Sequence, residues 1–374
     1  MNFWDELYKN KKMVLGLSPM DGVTDVAMRY MVGKYSRKSS DHSPIIAQGS
    51  ELGGGVDVLF TEFVSVDALH YATGERRERL LKTFMRAREV HALIESGSDT
   101  VTQLNSDTAK WPYEVAQVFG HTPELFAEAA VIVEKMGFDG IDINMGCPMH
   151  KVEDQGSGAG LIRTPKLAQE IIRTVKSVTK LPVSVKTRIG VSSDVAEEWM
   201  YALMEAQPAN ISLHGRTLRQ LYQGSADWES IGRAAAVVHK LGGHILGNGD
   251  VESIEDAKNK AKQYGVDGVL IGRAAEGRPG IFLESQSSDH SPIIAQGSEL
   301  WRQRQFAWMI EHSKIYEQIF SEPELLSRSF MPMRKHLAWY CKGFPGAVEM
   351  RSKLMQANCS LDVERILVDH KIFD

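Results

Sequence analysis

Hydrophobic positions follow two alternating spacings over the first three quarters of the chain. Short apolar runs, rich in β-branched residues, are each followed by a longer stretch in which apolar residues recur every three or four positions. The short runs predict strands at 13–18, 56–61, 114–119, 140–143, 182–187, 210–214, 244–247 and 267–271. The longer stretches predict helices at 123–136, 165–178, 195–205, 228–241 and 254–264.

The predicted helices carry the expected boundary signals. Thr122 precedes Pro123 and Thr164 precedes Pro165, which is typical of helix starts, and Gly137 follows the end of a helix. Eight strands alternating with helices over about 250 residues fit a (β/α)8 TIM barrel of the α/β class. A doubly wound open sheet is the alternative, but no Gly-x-Gly-x-x-Gly pattern follows the first strand.

From about residue 301 onward the pattern predicts helices only, at 301–319, 322–340, 347–356 and 361–368. We therefore expect a barrel domain over 1–285, a linker over 286–300 and a small all-helical C-terminal domain over 301–374. A segment of fourteen residues occurs twice without change, at 39–52 and at 287–300. A recent duplication or an engineered insertion fits best, and neither copy is given a catalytic role.

Composition narrows the class of protein. The chain is 43% hydrophobic and 24% charged, as in ordinary globular proteins. It has no apolar run near the roughly 20 residues of a membrane helix and no apolar signal core at its N-terminus, so we expect a cytoplasmic monomer without membrane contact. Three scattered cysteines form neither a disulfide framework nor a metal-binding pattern. The net charge of −5 argues against indiscriminate nucleic-acid binding but leaves room for a local basic face.

The turn Asn144-Met145-Gly146-Cys147-Pro148 is the strongest chemical signal. It follows a predicted strand and lifts one cysteine off the strand's end. A lone cysteine is more often a buried apolar residue, but this position favours a functional one. The glycine-rich segment 156–160 is expected to be a loop able to move over a pocket.

The other candidates lie where predicted strands end, because the carboxyl ends of barrel strands form the active-site face. They are Pro19, Met20, Glu62, Gln117, Asn144, Cys147, Lys186, Arg188, His214, Asn248, Gly249, Gly272 and Arg273. The glycine-rich turns after the last two strands, with Arg273, predict a phosphate site, and simple tight turns are the alternative. A lysine facing the barrel interior indicates an anion or electron-rich cofactor near Lys186, unless it extends outward to solvent. His214 is either a pocket residue or a satisfied core histidine.

Segments in the same order along nearly the whole chain carry a family resemblance. They are 17–25, 60–63, 115–120, 142–148, 155–160, 185–190, 213–217, 247–250, 271–273, 333–336 and 339–346. With these segments the chain resembles tRNA-dihydrouridine synthases, flavin enzymes that reduce uridine in tRNA. The Asn-x-Gly-Cys-Pro turn, with the downstream lysine and histidine, is the most specific of them.

The resemblance implies an FMN site built from strand ends. The implied ring contacts are Pro19, Met20, Gln117, Lys186 and His214. The implied phosphate contacts are Asn248, Gly249, Gly272 and Arg273. NADPH, or NADH, would reduce the FMN, and a hydride would then pass from flavin N5 to uracil C6 while Cys147 protonates C5 as the general acid. Because this thiol must keep its proton until transfer, an ordinary or raised pKa would suit it.

The resemblance also implies tRNA as the partner, with the target uridine flipped into the pocket. Asn144 would orient the uracil, and Arg188 and Arg216 are candidates for contact with uracil or RNA. The helical domain would hold tRNA phosphates, and its candidates are Arg334, Lys335, Lys342 and Arg351.

The residues by themselves are also compatible with two other functions. One is an FMN barrel acting on a free pyrimidine or another small molecule, which would not need the helical domain. The other is a catalytically silent tRNA-binding barrel, for which the trio of Cys147, Lys186 and His214 would be unnecessary. Flavin colour separates an enzyme from the silent binder, and activity on tRNA rather than free uracil separates the two enzymes.

Overall fold

A closed barrel of eight parallel strands forms the centre of the molecule. The computed structural model describes residues 2–11, 13–36, 55–96, 111–148, 156–283, 298–320 and 329–369. The strands are β1 Val14–Leu17, β2 Val58–Ser65, β3 Tyr113–Phe119, β4 Gly140–Met145, β5 Val183–Arg188, β6 Asn210–His214, β7 Ile245–Asn248 and β8 Gly268–Ile271. Each strand pairs with its neighbours in chain order and β1 pairs with β8, so the predicted TIM barrel is confirmed.

Helices surround this barrel and follow it. They are α1 Phe3–Asn10, α2 Val26–Tyr35, α3 Val66–Tyr71, α4 Gly74–Thr83, α5 Ala87–Ser96, α6 Pro123–Lys135, α7 Pro165–Val178, α8 Ala196–Met204, α9 Trp228–Lys240, α10 Ile254–Tyr264, α11 Glu299–Phe320, α12 Met333–Tyr340, α13 Ala347–Leu354 and α14 Ser360–Asp369. Short 3-10 turns occur at Gly158–Arg163, Arg273–Ala275 and Ile281–Leu283. Of the helices in the described ranges, none combines the length and apolar character that a bilayer crossing requires.

The barrel interior changes from apolar to polar along the strands. In the layer beneath the carboxyl ends, Gln117 pairs with Asp142, and Asp142 pairs with Ser184. Two residues further along, Asn144 pairs with Lys186. Because side chains of a strand alternate between its faces, residues two apart share the interior side. Polar groups are therefore stacked in layers toward the carboxyl ends.

Helix α1, which the sequence pattern did not predict, closes the opposite end. Its start is fixed by a capping box between Asn2 and Asp5. The apolar face of α1 packs into one buried cluster with side chains from the barrel interior. That cluster contains Phe3, Trp4, Leu7, Val14, Val58, Phe60, Val115, Leu246 and Leu270. With the amino end filled by side chains, the carboxyl end is where a ligand cavity has room.

The C-terminal helices pack directly against the barrel's outer helices. Tyr30 and Met31 of α2 share a buried apolar cluster with Met309 of α11 and Leu337 of α12. Lys34 adds an ion pair, its Nζ lying 2.6 Å from Glu311 Oε1. Helix α11 begins at Glu299, two residues before the expected domain start. The boundaries of the domains stay a prediction, since residues 284–297 lie outside the described ranges.

The predicted helix at 322–340 needs correction, and most of the repeated segment lies outside the described residues. The predicted continuous helix 322–340 is wrong in its middle, because residues 330–332 form a bend and a turn and α12 begins only at Met333. Pro332 has no N–H to donate and disfavours helical conformation in the residue before it, which accounts for the break. The first copy of the repeated segment, 39–52, lies outside the described residues, as does most of the second.

Candidate functional site

A cavity of about 990 Å³ lies at the carboxyl ends of the strands. It is lined by residues in or just after all eight strands, and it is large enough for a cofactor together with a substrate group. The predicted candidates that line it are Pro19, Met20, Gln117, Asn144, Cys147, Lys186, Arg188, His214, Asn248, Gly249, Gly272 and Arg273. The barrel therefore brings together, in one site, residues that are more than 250 positions apart in sequence.

The turn that carries Cys147 is held from two sides. Asn144 Oδ1 accepts the backbone N–H groups of Gly146 at 3.0 Å and of Cys147 at 2.8 Å. On the other side, Arg188 Nε donates to the carbonyl of Gly146 at 2.7 Å. Cys147 itself is 5% exposed and lines the cavity. These backbone anchors fix the place of the turn that carries the thiol.

The glycine-rich segment 156–160 has a different place from the one expected. Its residues 157–160 are buried, and the backbone N–H of Ala159 donates to the carbonyl of Cys147 at 3.3 Å. Nearby, Ser157 Oγ lies 3.2 Å from His121 Nδ1. The segment therefore supports the cysteine turn from beside it, and the expectation of a loop over the pocket is wrong for these residues.

Lys186 places a cationic group in the cavity wall. Its Nζ donates to Asn248 Oδ1 at 3.1 Å, and Asn248 Nδ2 donates in turn to the carbonyl of Leu270 at 3.0 Å. Desolvation, reinforced by the positive charge of Arg188, lowers the pKa of Lys186 to about 8. The lysine therefore remains mostly protonated at neutral pH and would gain from an electron-rich neighbour.

His214 is a neutral imidazole in this site. Burial, followed by the nearby charges of Lys186, Arg188 and two further arginines, holds its pKa well below the usual range. Its Nε2 lies 3.4 Å from Nη1 of Arg216. Because a guanidinium can only donate, Nε2 is the acceptor and the proton resides on Nδ1.

Asp250 joins two arginines that the sequence analysis treated separately. Arg216 binds it in bidentate fashion, with Nη1 3.0 Å from Oδ1 and Nη2 2.6 Å from Oδ2. Arg273 Nη2 also lies 2.6 Å from Oδ1. Arg216 is only 2% exposed and donates further to the carbonyls of Gln223 and Gly224, so it lies behind the cavity wall and does not line the cavity. The structure does not bring Arg216 to the place where a substrate would lie.

The four basic residues of the helical region have unequal positions. Lys335 Nζ lies directly against Gly22, in the loop that also carries Pro19 and Met20. Lys342 is exposed and its charge acts on Glu276, which lines the cavity. Arg334 donates to the carbonyl of Ala357 at 3.0 Å and does not line the cavity.

Arg351, the fourth of these residues, is half-buried and its positive charge acts on Cys341. Lys335 and Lys342 are therefore the two members of the set that lie beside the rim of the cavity.

Other cavity residues escaped the sequence analysis. Strand β2 continues past residue 61 to Ser65 and is irregular between Phe60 and Phe63, so Phe63 lines the cavity where Glu62 was expected. Burial and the charges of Asp25 and Asp21 raise the pKa of Glu62 to about 7.

Tyr222, Asp250 and Glu276 also line the cavity, and Tyr222 is 62% exposed at its mouth. The sequence signal that could have found Phe63 is the continuation of strand-forming residues, Phe63 and Val64, beyond Glu62. The loop residues carried no such signal.

The closed barrel and its polar cavity at the carboxyl ends of the strands define a (β/α)8-barrel enzyme. A family model described as Dihydrouridine synthase matches residues 16–374. The chain belongs to the dihydrouridine synthase family.

Similar proteins cover almost the whole chain. A probable tRNA-dihydrouridine synthase of Staphylococcus aureus (strain Mu50) is 31% identical over 372 residues, which cover 98% of this chain and 95% of the relative. Probable tRNA-dihydrouridine synthase 1 of Synechocystis sp. is 30% identical over 363 residues, with 95% and 85% covered. Probable tRNA-dihydrouridine synthase 2 of Bacillus subtilis (strain 168) is 30% identical over 371 residues, with 98% and 96% covered.

Proposed function

We propose that this protein reduces a uridine of tRNA to 5,6-dihydrouridine, with FMN as its cofactor and NADPH or NADH as the electron donor. The single observation that carries the proposal is the convergence of Cys147, Asn144, Lys186 and His214 on one cavity. Membership of the dihydrouridine synthase family and the printed names of the relatives support the same reaction.

The cavity fits FMN on three grounds. Its volume of about 990 Å³ is at the upper end of what small-molecule sites usually have. Two glycines shape it, since a Cβ on Gly249 would lie 2.5 Å from Cβ of Ala226, and one on Gly272 would lie 3.3 Å from Sδ of Met20. The partly desolvated cation of Lys186 gives a favourable place for an electron-rich ring.

In this proposal the residues that hold FMN are those of the cavity wall. Pro19 and Met20 pack against its ring, and Gln117, Lys186 and His214 meet its polar edge. Asn248, Gly249, Gly272 and Arg273 hold the phosphate, for which backbone N–H groups and a guanidinium are suitable donors. FMN, when bound, supplies the hydride that C6 of uracil accepts.

Cys147 then supplies the proton that C5 of uracil needs. The C5=C6 double bond gains one hydride and one proton, and the resulting thiolate regains its proton from solvent. Anchoring of the turn by Asn144 and Arg188 holds the thiol in the cavity wall during this transfer. Asn144, on the same wall, orients the uracil.

The tRNA lies across the rim of the cavity, with the target nucleotide flipped inward. Lys335, beside Gly22, and Lys342, whose charge acts on Glu276, would contact phosphates next to that nucleotide. Arg334 and Arg351 would contact other parts of the RNA. Arg188 would touch the substrate at the cavity, whereas Arg216 would act only from behind it.

The direct test incubates the purified protein with unmodified tRNA, FMN and NADPH, and measures dihydrouridine by mass spectrometry of nucleosides. We expect product from the wild type and a loss of at least about a hundredfold in Cys147→Ala, as for removal of a general acid. A protein that binds FMN but makes no dihydrouridine in tRNA would overturn the proposal. Reduction of free uracil in the same assay would favour a small-molecule enzyme, and absence of flavin binding would favour the silent RNA binder.

A further inference from the structure

A buried carboxylate lies one layer below the cavity. Asp142 of β4 is fully buried and does not line the cavity. Its Oδ1 accepts the hydroxyl of Ser184 at 2.6 Å, and its Oδ2 accepts Nε2 of Gln117 at 2.7 Å. Nothing in the proposed reaction uses this group, and an isolated buried carboxylate is costly. Its presence therefore calls for a role in holding its neighbours.

The hydrogen bonds continue from Asp142 to the cysteine turn. Gln117 Oε1 accepts Nδ2 of Asn144 at 2.9 Å. Asn144 Oδ1 accepts the backbone N–H groups of Gly146 and Cys147 at 3.0 and 2.8 Å. A relay of four linked residues thus runs from Asp142 through Gln117 and Asn144 to Cys147, and we call it the amide relay.

The two ends of the amide relay fix its direction. An ionised carboxylate can only accept hydrogen bonds, and a backbone N–H can only donate. Each amide between them must therefore turn its NH2 group toward Asp142 and its oxygen toward Cys147. If either amide were reversed, donors would face donors or acceptors would face acceptors inside the protein, where unmade hydrogen bonds are costly.

We propose that Asp142 is a positioning residue that sets the orientation of the Gln117 and Asn144 amides and, through them, holds the turn of Cys147. The assignment of Cys147 as the proton donor, on which its catalytic consequence depends, rests on the proposed function. Asp142 touches neither the cavity nor the reacting atoms, and acts through the two amides that do line it.

The relay also decides what Asn144 offers to a substrate. Both lone pairs of its Oδ1 are used by the two backbone N–H groups, and one hydrogen of Nδ2 is used by Gln117. With respect to the residues that the structure describes, the second hydrogen of Nδ2 remains available, so Asn144 presents a donor to the cavity. A donor matches a carbonyl oxygen, which uracil carries at C2 and C4, whereas cytosine carries an amino group at C4.

The test compares three substitutions of the relay by their hydrogen-bonding capacity. Asp142→Leu removes the acceptor at similar volume. Asp142→Asn keeps an acceptor for Gln117, because its own NH2 can turn to Ser184, whose hydroxyl can accept. Gln117→Glu places a carboxylate against the carboxylate of Asp142. In the double variant with Asp142→Asn, the NH2 group at position 142 can donate to the carboxylate at position 117, so the hydrogen bond between the two positions is restored. If Asp142 merely fills space, Asp142→Asn is not expected to rescue Gln117→Glu.

The first readout does not depend on activity. Alkylation of each cysteine in the full-length protein by iodoacetamide is followed by peptide mass spectrometry. We expect Cys147 to react about tenfold faster in Asp142→Leu and in Gln117→Glu at pH 8, and to return toward the wild-type rate in the double variant. Cys341 is fully buried in the helical region and serves as an internal control for global unfolding. Equal acceleration of both cysteines, or no acceleration of either, would overturn the proposal.

The second readout is the rate of dihydrouridine formation at saturating FMN and tRNA. We expect kcat to fall about tenfold or more in Asp142→Leu and Gln117→Glu, and to recover at least in part in the double variant. Failure of the double variant to recover in either readout would count against the relay. If the wild type makes no dihydrouridine but the thiol readout behaves as expected, the proposed function fails while the positioning role of Asp142 stands.

Discussion

The carbonyl oxygen of Trp339 lies 2.5 Å from the position that a Cβ atom of Gly277 would occupy. Gly277 follows β8 in the barrel and has a φ of +70°, while Trp339 belongs to α12 of the helical region. The two backbones therefore meet where only glycine fits, at the junction that brings Lys335 and Lys342 beside the cavity.

Gly277→Ala is expected to destabilise the protein by disturbing this junction. An alanine at left-handed φ costs about 1 kcal/mol by itself. Gly265→Ala is the matched control, because Gly265 has a φ of +67° but no atom within 4 Å of its Cβ position. We expect Gly277→Ala to cost about 1–3 kcal/mol more than the control in urea-induced unfolding. Equal losses would mean that the helix can shift away from the barrel without cost.

A second link across the same junction joins His336 to Asp25. His336 Nε2 lies 3.5 Å from Asp25 Oδ2, and Asp25 Oδ1 caps helix α2 by accepting the N–H of Met28 at 2.8 Å. Burial alone would raise the pKa of Asp25, but the neighbouring imidazole of His336 holds it below the usual range. His336→Ala should therefore leave the buried carboxyl of Asp25 without its polar neighbour in α12 and cost about 1–3 kcal/mol.

Asp25→Asn provides the partner variant for a double-mutant cycle. Asparagine caps helices well, so the cap to Met28 is retained while the charge is removed. If the pair interacts, the free energy lost in the double variant will be smaller than the sum of the single losses by 1 kcal/mol or more, about the size of coupling seen between contacting residues. Additive losses measured by urea unfolding would show that the 3.5 Å contact contributes nothing to stability.

Residues of the cavity were predictable from sequence where a local pattern of strand residues identifies them. Strand periodicity and the rule of carboxyl ends placed Cys147, Lys186 and His214 at one end of the barrel, because each lies in the last three residues of its own strand or within two residues after it. The amide relay was not predictable in this way. Asp142 and Gln117 lie on adjacent strands 25 positions apart, and only the register of β3 against β4 brings them together.

The position of Arg216 in the structure differs from the one that its sequence motif suggested. Arg216 follows His214 by two residues in a motif typical of the family, which suggested contact with the substrate. The chain turns sharply after β6, and Gly215 lies too close to Asp227 for any Cβ, with 2.8 Å to the carbonyl oxygen. The side chain of Arg216 is thereby directed toward Asp250, and the arginine itself lies behind the cavity wall. The motif therefore indicated that Arg216 lies near His214, but it did not indicate which way the side chain of Arg216 points.

Its bond to Asp250 leads to a prediction for FMN binding. Arg216→Lys would lose the bidentate contact and leave more of the negative charge of Asp250 next to Arg273 and to the phosphate site. We expect the Kd for FMN, measured by quenching of flavin fluorescence, to rise about tenfold, which corresponds to about 1.4 kcal/mol. Arg219→Lys is the control, since Arg219 is exposed on the same loop, and its Kd should stay within about twofold. An unchanged Kd in Arg216→Lys would remove Arg216 from the support of the phosphate site.

Lys186 gives a prediction in which stability and binding move in opposite directions. Its pKa of about 8 in the folded protein is lower than the value of about 10.4 in an unfolded chain. Between these values the unfolded state binds more protons at this position than the folded state, so the contribution of Lys186 to the stability of the FMN-free protein should become more favourable as pH rises from 8 to 10. Below pH 8 both states are protonated, and the folded state bears the full cost of the buried charge.

Lys186→Met removes that cost because it keeps the length of the side chain without its charge. Relative to the wild type, the FMN-free variant should be more stable at pH 7, and this advantage should shrink as pH rises toward 10. Its affinity for FMN should fall at the same time, because the cation in the cavity wall is lost. Thermal unfolding across pH 7–10, paired with FMN titration, measures both effects. A variant that is less stable than the wild type at pH 7 would show that the bond from Lys186 to Asn248 outweighs the desolvation of the charge, and that the lysine is retained for the fold rather than for its ligand.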